Sequence, residues 1–499
     1  MTQQTEETTL SSGVPALDEI ICGGFAPGRF YLIEGDTGAG KTTLALQFLL
    51  AGVKAGDSCM LITLSESTAE LRSSAASHGW SLDGIHIVEL IASEESLTPD
   101  ARYTMFHPSE VELAQSTRTV LEEARKQKPK RIVVDSISEL RLMAESTLRY
   151  RRQVAALKQH FARQQATVLV VDDSVHAESD TYLHSLAHGV IQLDIVPVDY
   201  GRPRRRLFVR KLRGCSFREG YHDLAIRRGG LTIFPRLVAS EHRSLYERAT
   251  VKSGIGQLDA LLGGGLAKGT NTLVVGPAGS GKSTIAAQYV VSAAQRGERA
   301  AFFLFDEAIA TLLERSSGLQ MPVGELIQND HVMLRQIDPA ELSPGEFTHA
   351  VREAVEEFGA GMIVIDSLAG YLNAMPSERH LTLHLHELLT YLGQRGVTTI
   401  MLVTEHGLVG ADGGAAIDTS YLADTVILLR YFETVGAVRQ AVSVIKKRTG
   451  KHERTIRELV FDGGLKITEP LRGFQGVLSG VPQFVNNMTH VAGSTDVSG

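Results

Sequence analysis

Two short glycine-rich stretches of the sequence each end in a lysine followed by a hydroxyl residue. They read GDTGAGKT at 35–42 and GPAGSGKS at 276–283, and both fit the pattern G-x-x-x-x-G-K-[ST]. The glycines let successive backbone N–H groups turn toward one anion, and the positive end of the following helix adds to the attraction. The lysine reaches the β- and γ-phosphates, and the hydroxyl can bind Mg²⁺. The sequence therefore predicts two sites for ATP with Mg²⁺.

Each phosphate loop is followed further along the chain by an apolar run that ends in aspartate. RIVVDS at 131–136 supplies Asp135, and MIVIDS at 362–367 supplies Asp366. In P-loop ATPases such an aspartate completes the Mg²⁺ site, so we predict Thr42 with Asp135 and Ser283 with Asp366 as metal ligands. The residues predicted to hold the nucleotide are Gly38, Ala39, Gly40, Lys41, Thr42 and Thr43, and Gly279, Ser280, Gly281, Lys282, Ser283 and Thr284.

A second kind of apolar run ends in carboxylates that could act on water. LITLSES at 61–67 contains Glu66, and FFLFDEA at 302–308 contains Asp306 and Glu307. A carboxylate near the γ-phosphate can orient the attacking water. The predicted catalytic residues are Glu66, Asp306, Glu307, Lys41 and Lys282. The alternative interpretation is that the acids only cap the helices that follow these runs.

The two halves of the chain are copies of one another. SGVPALDEIICGGFAPG at 12–28 is similar to SGIGQLDALLGGGLAKG at 253–269. The offset is 282 − 41 = 241 at the lysine and 307 − 66 = 241 at the glutamate. An offset that stays constant over this span indicates a duplicated domain. We predict domains at 1–242 and 243–480 and a flexible tail at 481–499.

Composition and patterning give the class of protein. Short apolar strands alternate with helical stretches, which predicts an α/β fold with mostly parallel sheets covered by helices. The net charge of -7 does not favour nucleic acid as a partner. The acidic, polar start of the chain and the lack of an 18-residue apolar run predict neither a secretion signal nor a membrane span. The three cysteines lie far apart, as expected for reduced thiols in the cytoplasm.

The tandem phosphate loops and the strands that end in acids resemble the KaiC-like family of circadian-clock ATPases, within the RecA-like superfamily. The resemblance covers about residues 10–480 and implies two tandem RecA-like P-loop domains. Family members carry two adjacent glutamates at each strand end, where this chain has Ser65-Glu66 and Asp306-Glu307. In the second domain the first acid of the family also helps to hold Mg²⁺, which implies the same role for Asp306.

The resemblance also implies contacts between subunits. Near the end of each domain, KLR at 211–213 and KKR at 446–448 occupy corresponding places, 446 − 211 = 235 residues apart. In KaiC-like proteins such residues reach the γ-phosphate held by the neighbouring subunit, which implies a homo-hexameric ring and, by family, clock or signalling partners similar to KaiB. The alternative is a basic sheet edge without a ligand. The residues concerned are Lys211, Leu212, Arg213, Lys446, Lys447 and Arg448.

Self-phosphorylation is a further implication of the resemblance. KaiC-like proteins phosphorylate an adjacent Ser/Thr pair just before a strand that reads like ADTVILLRY at 423–431. Aligned on Asp424, that pair falls on Ser420 and Tyr421, so the first hydroxyl is kept and the second is a phenol. Ser420 is the predicted acceptor, or Thr419 if the loop shifts by one residue. The alternative is that this segment only forms a turn and the start of a strand.

Two other functions are compatible with the same motifs. A DNA-dependent motor or recombinase of the RecA-like fold would be stimulated by single-stranded DNA in a salt-dependent manner. A scaffold that binds nucleotide without hydrolysing it would release no phosphate. The leading hypothesis is a cytoplasmic, ring-forming ATPase, with a serine/threonine autokinase activity as a possibility.

Overall fold

The computed structural model describes residues 9–90, 108–144, 146–173, 181–198, 201–338, 340–373, 380–404, 420–434, 436–479 and 483–484. The chain divides into two compact units, Met1–Arg236 and Leu237–Gly499. This division lies a few residues before the domain boundary predicted after residue 242.

The first unit is a nine-stranded sheet covered by helices on both faces. Its strands follow the order β3-β2-β4-β5-β1-β6-β7-β8-β9. The pairs from β3 to β6 are parallel, and those from β6 to β9 are antiparallel. The elements are α1 Pro15–Ile20, β1 Phe30–Gly35, α2 Lys41–Lys54, β2 Cys59–Thr63, α3 Thr68–Ser77, β3 Ile85–Glu89, α4 Pro108–Gln127, β4 Arg131–Asp135, α5 Ile137–Met143, α6 Thr147–Arg163, β5 Thr167–Asp173, α7 Thr181–Leu186, β6 Gly189–Val196, β7 Arg204–Leu212, β8 Tyr221–Arg227 and β9 Gly230–Phe234.

The second unit has the same strand order, β14-β13-β15-β16-β12-β17-β18-β19-β20, and two small two-stranded sheets, β10-β11 and β21-β22. The repeated topology confirms that the chain is a duplication. The elements are β10 Thr250–Val251, α8 Gly256–Leu261, β11 Leu266–Ala267, β12 Asn271–Gly276, α9 Lys282–Gln295, β13 Arg299–Leu304, α10 Ile309–Gly318, α11 Val323–Gln328, β14 Val332–Gln336, α12 Pro344–Glu356, β15 Ala360–Asp366, α13 Leu368–Asn373, α14 Leu381–Gln394, β16 Thr398–Thr404, β17 Thr425–Thr434, β18 Ala437–Lys447, β19 Arg457–Phe461, β20 Leu465–Pro470, β21 Phe474–Gln475 and β22 Gln483–Phe484.

The apolar strands explain how the site is placed. Strands β1, β2 and β4 are buried along their whole length, as expected for a parallel sheet with helices on both faces. In the first unit, one apolar cluster joins the sheet to α2, and another joins its opposite face to α5 and α6. Because parallel strands end at the same edge, the phosphate loop after β1 and the acids after β2 and β4 meet there. The predicted α/β fold of two RecA-like domains is confirmed.

Candidate nucleotide sites

Each glycine-rich stretch connects a strand to a helix, as the motif requires. In the first unit the loop leaves β1 at Gly35 and enters α2 at Lys41, with Gly40 as the helix N-cap at φ 106°. In the second unit Gly281 caps α9 at φ 99°. A Cβ atom at Gly35 would lie 2.0 Å from the carbonyl oxygen of Leu193, so this position has no room for a side chain. Both stretches therefore have the strand–loop–helix context of a phosphate site.

The two loop lysines fold back onto their own loops. The Lys41 Nζ donates to the carbonyl oxygens of Gly35 and Asp36, 2.9 Å away in each case. The Lys282 Nζ donates to the carbonyl oxygens of Gly276 at 2.9 Å and Pro277 at 2.8 Å. Both lysines are buried, so each ammonium group lies inside the loop that would surround a phosphate.

The predicted metal ligands meet in pairs. The Thr42 hydroxyl donates to Asp135 Oδ2 at 2.7 Å, and the Ser283 hydroxyl bonds to Asp366. Burial raises the pKa of Asp135 and of Asp366 to about 6. Among the described residues, the Asp366 Oδ2 atom is buried and has no hydrogen-bond partner. A hydroxyl and a buried carboxylate with an unpaired oxygen are the hard oxygen donors that suit Mg²⁺, so the residues present fit this ion.

The glutamates after β2 and β13 do not cap the helices that follow. The N-cap of α3 is Ser67, which forms a capping box with Glu70, and the N-cap of α10 is Ala308, without a side-chain bond. Glu66 is held through its backbone, which exchanges bonds with the Thr63 hydroxyl. The structure therefore gives no support to the capping alternative.

The surroundings of these two glutamates differ. Burial, together with the charge of Glu70, raises the pKa of Glu66. The Glu307 Oε1 atom instead forms an ion pair with Arg315 Nη1 at 2.6 Å. Asp306 is exposed and accepts a hydrogen bond from the hydroxyl of Ser367. Ser367 is the residue that directly follows the predicted metal ligand Asp366.

Comparison with known proteins agrees with this geometry. The family model described as "ATPase: KaiC" matches residues 10–238 and again residues 251–472, which include both phosphate loops and all the predicted acids. The chain belongs to the KaiC family of ATPases. Nucleotide binding follows from membership of the family, and the predicted relationship is confirmed.

Curated relatives of the KaiC-family chain extend over nearly its whole length. The circadian clock oscillator protein KaiC of Picosynechococcus sp. is 26% identical over 479 residues, which are 94% of this chain and 91% of the relative. The protein of the same description from Acaryochloris marina is 26% identical over 497 residues, 97% and 93% of the two chains. That of Synechococcus elongatus is 25% identical over 475 residues, 94% and 91% of the two chains. No helix in the described part of this KaiC-family chain is long and apolar enough to cross a membrane.

The KLR and KKR triplets occupy equivalent places in the two repeats of this KaiC-family chain. The Arg213 N–H donates to the carbonyl oxygen of His188 at 3.0 Å, and the Arg448 N–H donates to that of Asp424 at 2.9 Å. The guanidinium of Arg213 bonds to the carbonyl oxygen of Ser185 at 2.9 Å. That of Arg448 is 3.3 Å from the equivalent oxygen of Tyr421. Both arginines are exposed.

The other members of the triplets lie at the same strand ends. The Lys211 ammonium donates to the carbonyl oxygen of His184, and the Lys447 ammonium donates to those of Leu262 and Gly265. Leu212 pairs with Gly189 across the β6–β7 ladder. In both repeats a register shift occurs where Lys211 or Lys446 is paired, which strengthens the equivalence of the two triplets.

The predicted phospho-acceptors lie at the edge of the described structure. Ser420 is the first residue of a one-turn 3₁₀ helix, Ser420–Leu422, directly before β17. Thr419 lies outside the described residues. The Tyr421 side chain is 51% exposed, and its carbonyl oxygen is the one that Arg448 contacts.

Two charged residues at the sites were missed by sequence reasoning. Asp173 ends β5, and its Oδ1 atom lies 2.9 Å from Lys41 Nζ. Arg315 lies in the last turn of α10 and pairs with Glu307. The aspartate pair at the end of TVLVVDD, 167–173, was a usable signal, because neighbouring parallel strands end at one edge. The arginine gave no signal, because a basic residue in a last turn is common in any helix.

Proposed function

We propose that this chain is a Mg²⁺-dependent ATPase with two hydrolytic sites, one in each repeat. The observation that supports it most is the contact between the hydroxyl of each phosphate loop and a buried aspartate, Thr42 with Asp135 and Ser283 with Asp366. A phosphate loop that served only as a turn would not need a buried carboxylate behind it, because burying an ionisable group is costly.

In the proposed mechanism, the residues of the site act mainly by holding ATP, the metal ion and the attacking water in position. The loop N–H groups and the lysine bind the β- and γ-phosphates, while Thr42 with Asp135, and Ser283 with Asp366 and Asp306, would hold the metal. Mg²⁺, when bound, supplies positive charge that offsets the negative charge of the transferring phosphoryl group. Glu66 and Glu307 accept a hydrogen bond from the attacking water and hold its oxygen in line with the γ-phosphorus.

We further propose that the subunits form a homo-hexameric ring with nucleotide at their interfaces. The exposed guanidiniums of Arg213 and Arg448 lie at equivalent strand ends, beside Lys211 and Lys446, and would contact the γ-phosphate held by the adjacent subunit. A charge supplied in this way can be worth about 10³–10⁵ in rate. Clock or signalling partners similar to KaiB and a cytoplasmic location remain predictions from the family.

We also propose that the second repeat can phosphorylate its own chain. A Ser/Thr kinase activity in the second repeat would use Ser420, or Thr419, as the acceptor. Ser420 precedes β17, and the exposed Arg448 lies 3.3 Å from the carbonyl oxygen of the next residue, Tyr421, which supports a position at a subunit interface. A DNA-dependent motor and a non-hydrolysing scaffold remain the rival functions.

Phosphate release measured on four full-length proteins tests the proposal. These are the wild type, Lys41→Ala, Lys282→Ala and the double variant, each assayed with Mg²⁺ and with EDTA. We expect each single variant to keep the turnover of its intact site and the double variant to lose all turnover. Equal turnover in the wild type and the double variant would show that neither loop hydrolyses ATP. Stimulation by single-stranded DNA would favour the motor instead.

A further inference from the structure

Arg315 restrains the glutamate that is proposed to orient water in the second repeat. Its Nη1 atom lies 2.6 Å from Glu307 Oε1, and the side chains are 33% and 17% exposed, respectively. The other atoms of the pair, Arg315 Nη2 and Glu307 Oε2, are buried and have no hydrogen-bond partner among the described residues. The arginine therefore binds one carboxylate oxygen, while the second has no partner among the described residues.

In the described part of the first repeat, Glu66 forms no ion pair equivalent to that of Glu307. Helices α3 and α10 correspond residue by residue, since 309 − 68 = 241 and 318 − 77 = 241. Arg315 is thus equivalent to Ser74, an exposed serine that cannot carry charge. Burial, together with the charge of the nearby acid Glu70, raises the pKa of Glu66. A guanidinium therefore contacts Glu307, whereas the equivalent position in the first repeat is a neutral serine.

We propose that Arg315 is a positioning residue that slows hydrolysis at the second site, while the first site works without this restraint. The inference rests on the proposed role of Glu307 in holding the attacking water. A carboxylate that shares its charge with a guanidinium is a weaker hydrogen-bond acceptor and a weaker base toward water. The arginine charge also acts on Asp366, so it offsets part of the negative charge of the acid cluster around the metal position.

The restraint on Glu307 predicts that the two repeats hydrolyse bound ATP at different rates. The second site binds ATP through the same loop as the first, but its glutamate must act on water while it is paired with Arg315. ATP should therefore remain unhydrolysed in the second site for longer. A bound, intact γ-phosphate is what a slow switch or a phosphoryl donor needs, and the first site can meanwhile turn over.

The test compares charge variants at one position in each repeat. In full-length protein with the first site silenced by Lys41→Ala, Arg315→Met should raise kcat by about fivefold, the effect of an ion pair of this exposure. KM for ATP should stay unchanged. Arg315→Lys keeps the charge and should keep the slow rate. In the Lys282→Ala background, Ser74→Arg should lower kcat at the first site, with Ser74→Gln as the uncharged control of similar bulk.

Two further outcomes separate this inference from the proposed function. If Glu307→Gln does not lower turnover in the Lys41→Ala background, Glu307 does not orient water and the proposed role itself fails. If Glu307→Gln lowers turnover but Arg315→Met leaves kcat unchanged or lowers it, the restraint is wrong and the arginine serves as a support. Ser74 is exposed, so Ser74→Arg is expected to fold and keeps the test decisive even if Arg315→Met proves unstable.

Discussion

Lys41 and Asp173 form an ion pair across the first nucleotide site, with 2.9 Å between Nζ and Oδ1. The aspartate pairs in register with Gly35, the first residue of the phosphate loop. In the second repeat Gly276 pairs in register with Thr404, which has no charge. ATP must therefore take Lys41 away from a carboxylate in the first site. In the second, Lys282 bonds to the carbonyl oxygens of its own loop.

Asp173→Thr, which copies the second repeat, should tighten ATP binding at the first site. The lysine would lose a competing anion, and the γ-phosphate would no longer approach a negative charge. We expect Kd to fall by about two- to fivefold, the effect of a partly exposed ion pair. Titration with a fluorescent ATP analogue in the Lys282→Ala background measures it. The reverse change, Thr404→Asp in the Lys41→Ala background, should weaken binding. An unchanged Kd in both variants would mean that Asp173 does not compete with nucleotide.

Glu66→Gln should lower turnover at the first site by about 10²-fold or more, because the amide cannot accept a proton from water. Nucleotide affinity should be kept, since Glu66 lies in the turn after β2 and outside the phosphate loop. The assay is phosphate release in the Lys282→Ala background. Glu122→Gln is the matched control, because this exposed glutamate lies on α4 and outside the site. If Glu66→Gln keeps full turnover, Asp173 becomes the carboxylate to test next.

The buried aspartates predict a pH dependence of metal binding. The pKa of Asp135 is raised to about 6 by burial, so below this pH the carboxyl of the metal-free protein is protonated. Metal binding needs the ionised form. The affinity for Mg²⁺ at the first site should therefore fall by about tenfold between pH 7 and pH 5, whereas an aspartate with a pKa of about 4 would lose little.

Mg²⁺ titrations of fluorescent-nucleotide binding at several pH values in the Lys282→Ala background check this expectation. Asp135→Asn is the control, because it should weaken the Mg²⁺ effect and remove its dependence on pH. A Mg²⁺ affinity that stays constant from pH 5 to pH 7 in the parent protein would contradict a metal role for Asp135.

Local motifs allowed the fold and the central residues of each candidate site to be predicted. Residues that reach the site only through contacts between distant segments could not be predicted. Lys41, Thr42 and Asp135 could be predicted as site residues because a phosphate loop and a strand-end aspartate have fixed chemistry and order, and the structure brings Thr42 and Asp135 into contact. Asp173 was missed because its role depends on β5 lying beside β1 in the sheet, which the order of the chain does not give. Arg315 was missed because only the packed helix brings it to Glu307, eight residues earlier.

Assembly should depend on nucleotide. We expect a hexamer by light scattering with Mg²⁺ and a non-hydrolysable ATP analogue, since ligands of the γ-phosphate would come from two subunits. Replacing Arg213 and Arg448 together by alanine should weaken the ring and lower turnover while each monomer keeps its fold. Arg236→Ala is the control, because this arginine contacts Glu219 within the same unit. A wild-type monomer under all nucleotide conditions would exclude the interface model.

Ser420 is the remaining hydroxyl of the family's acceptor pair, and its phosphorylation is the last prediction. Transfer needs the acceptor oxygen in line with the γ-phosphate of the adjacent subunit, and an error near 1 Å costs about 10²-fold. Tyr421, whose side chain is half exposed, is too long for a site shaped to a short hydroxyl, so we expect any label on Ser420 or Thr419. Incubation with γ-labelled ATP and peptide mapping measures it. Label that disappears in Ser420→Ala but persists in Tyr421→Phe supports an autokinase. No label after hours, alongside measurable ATP hydrolysis, leaves an ATPase without a phosphorylation cycle.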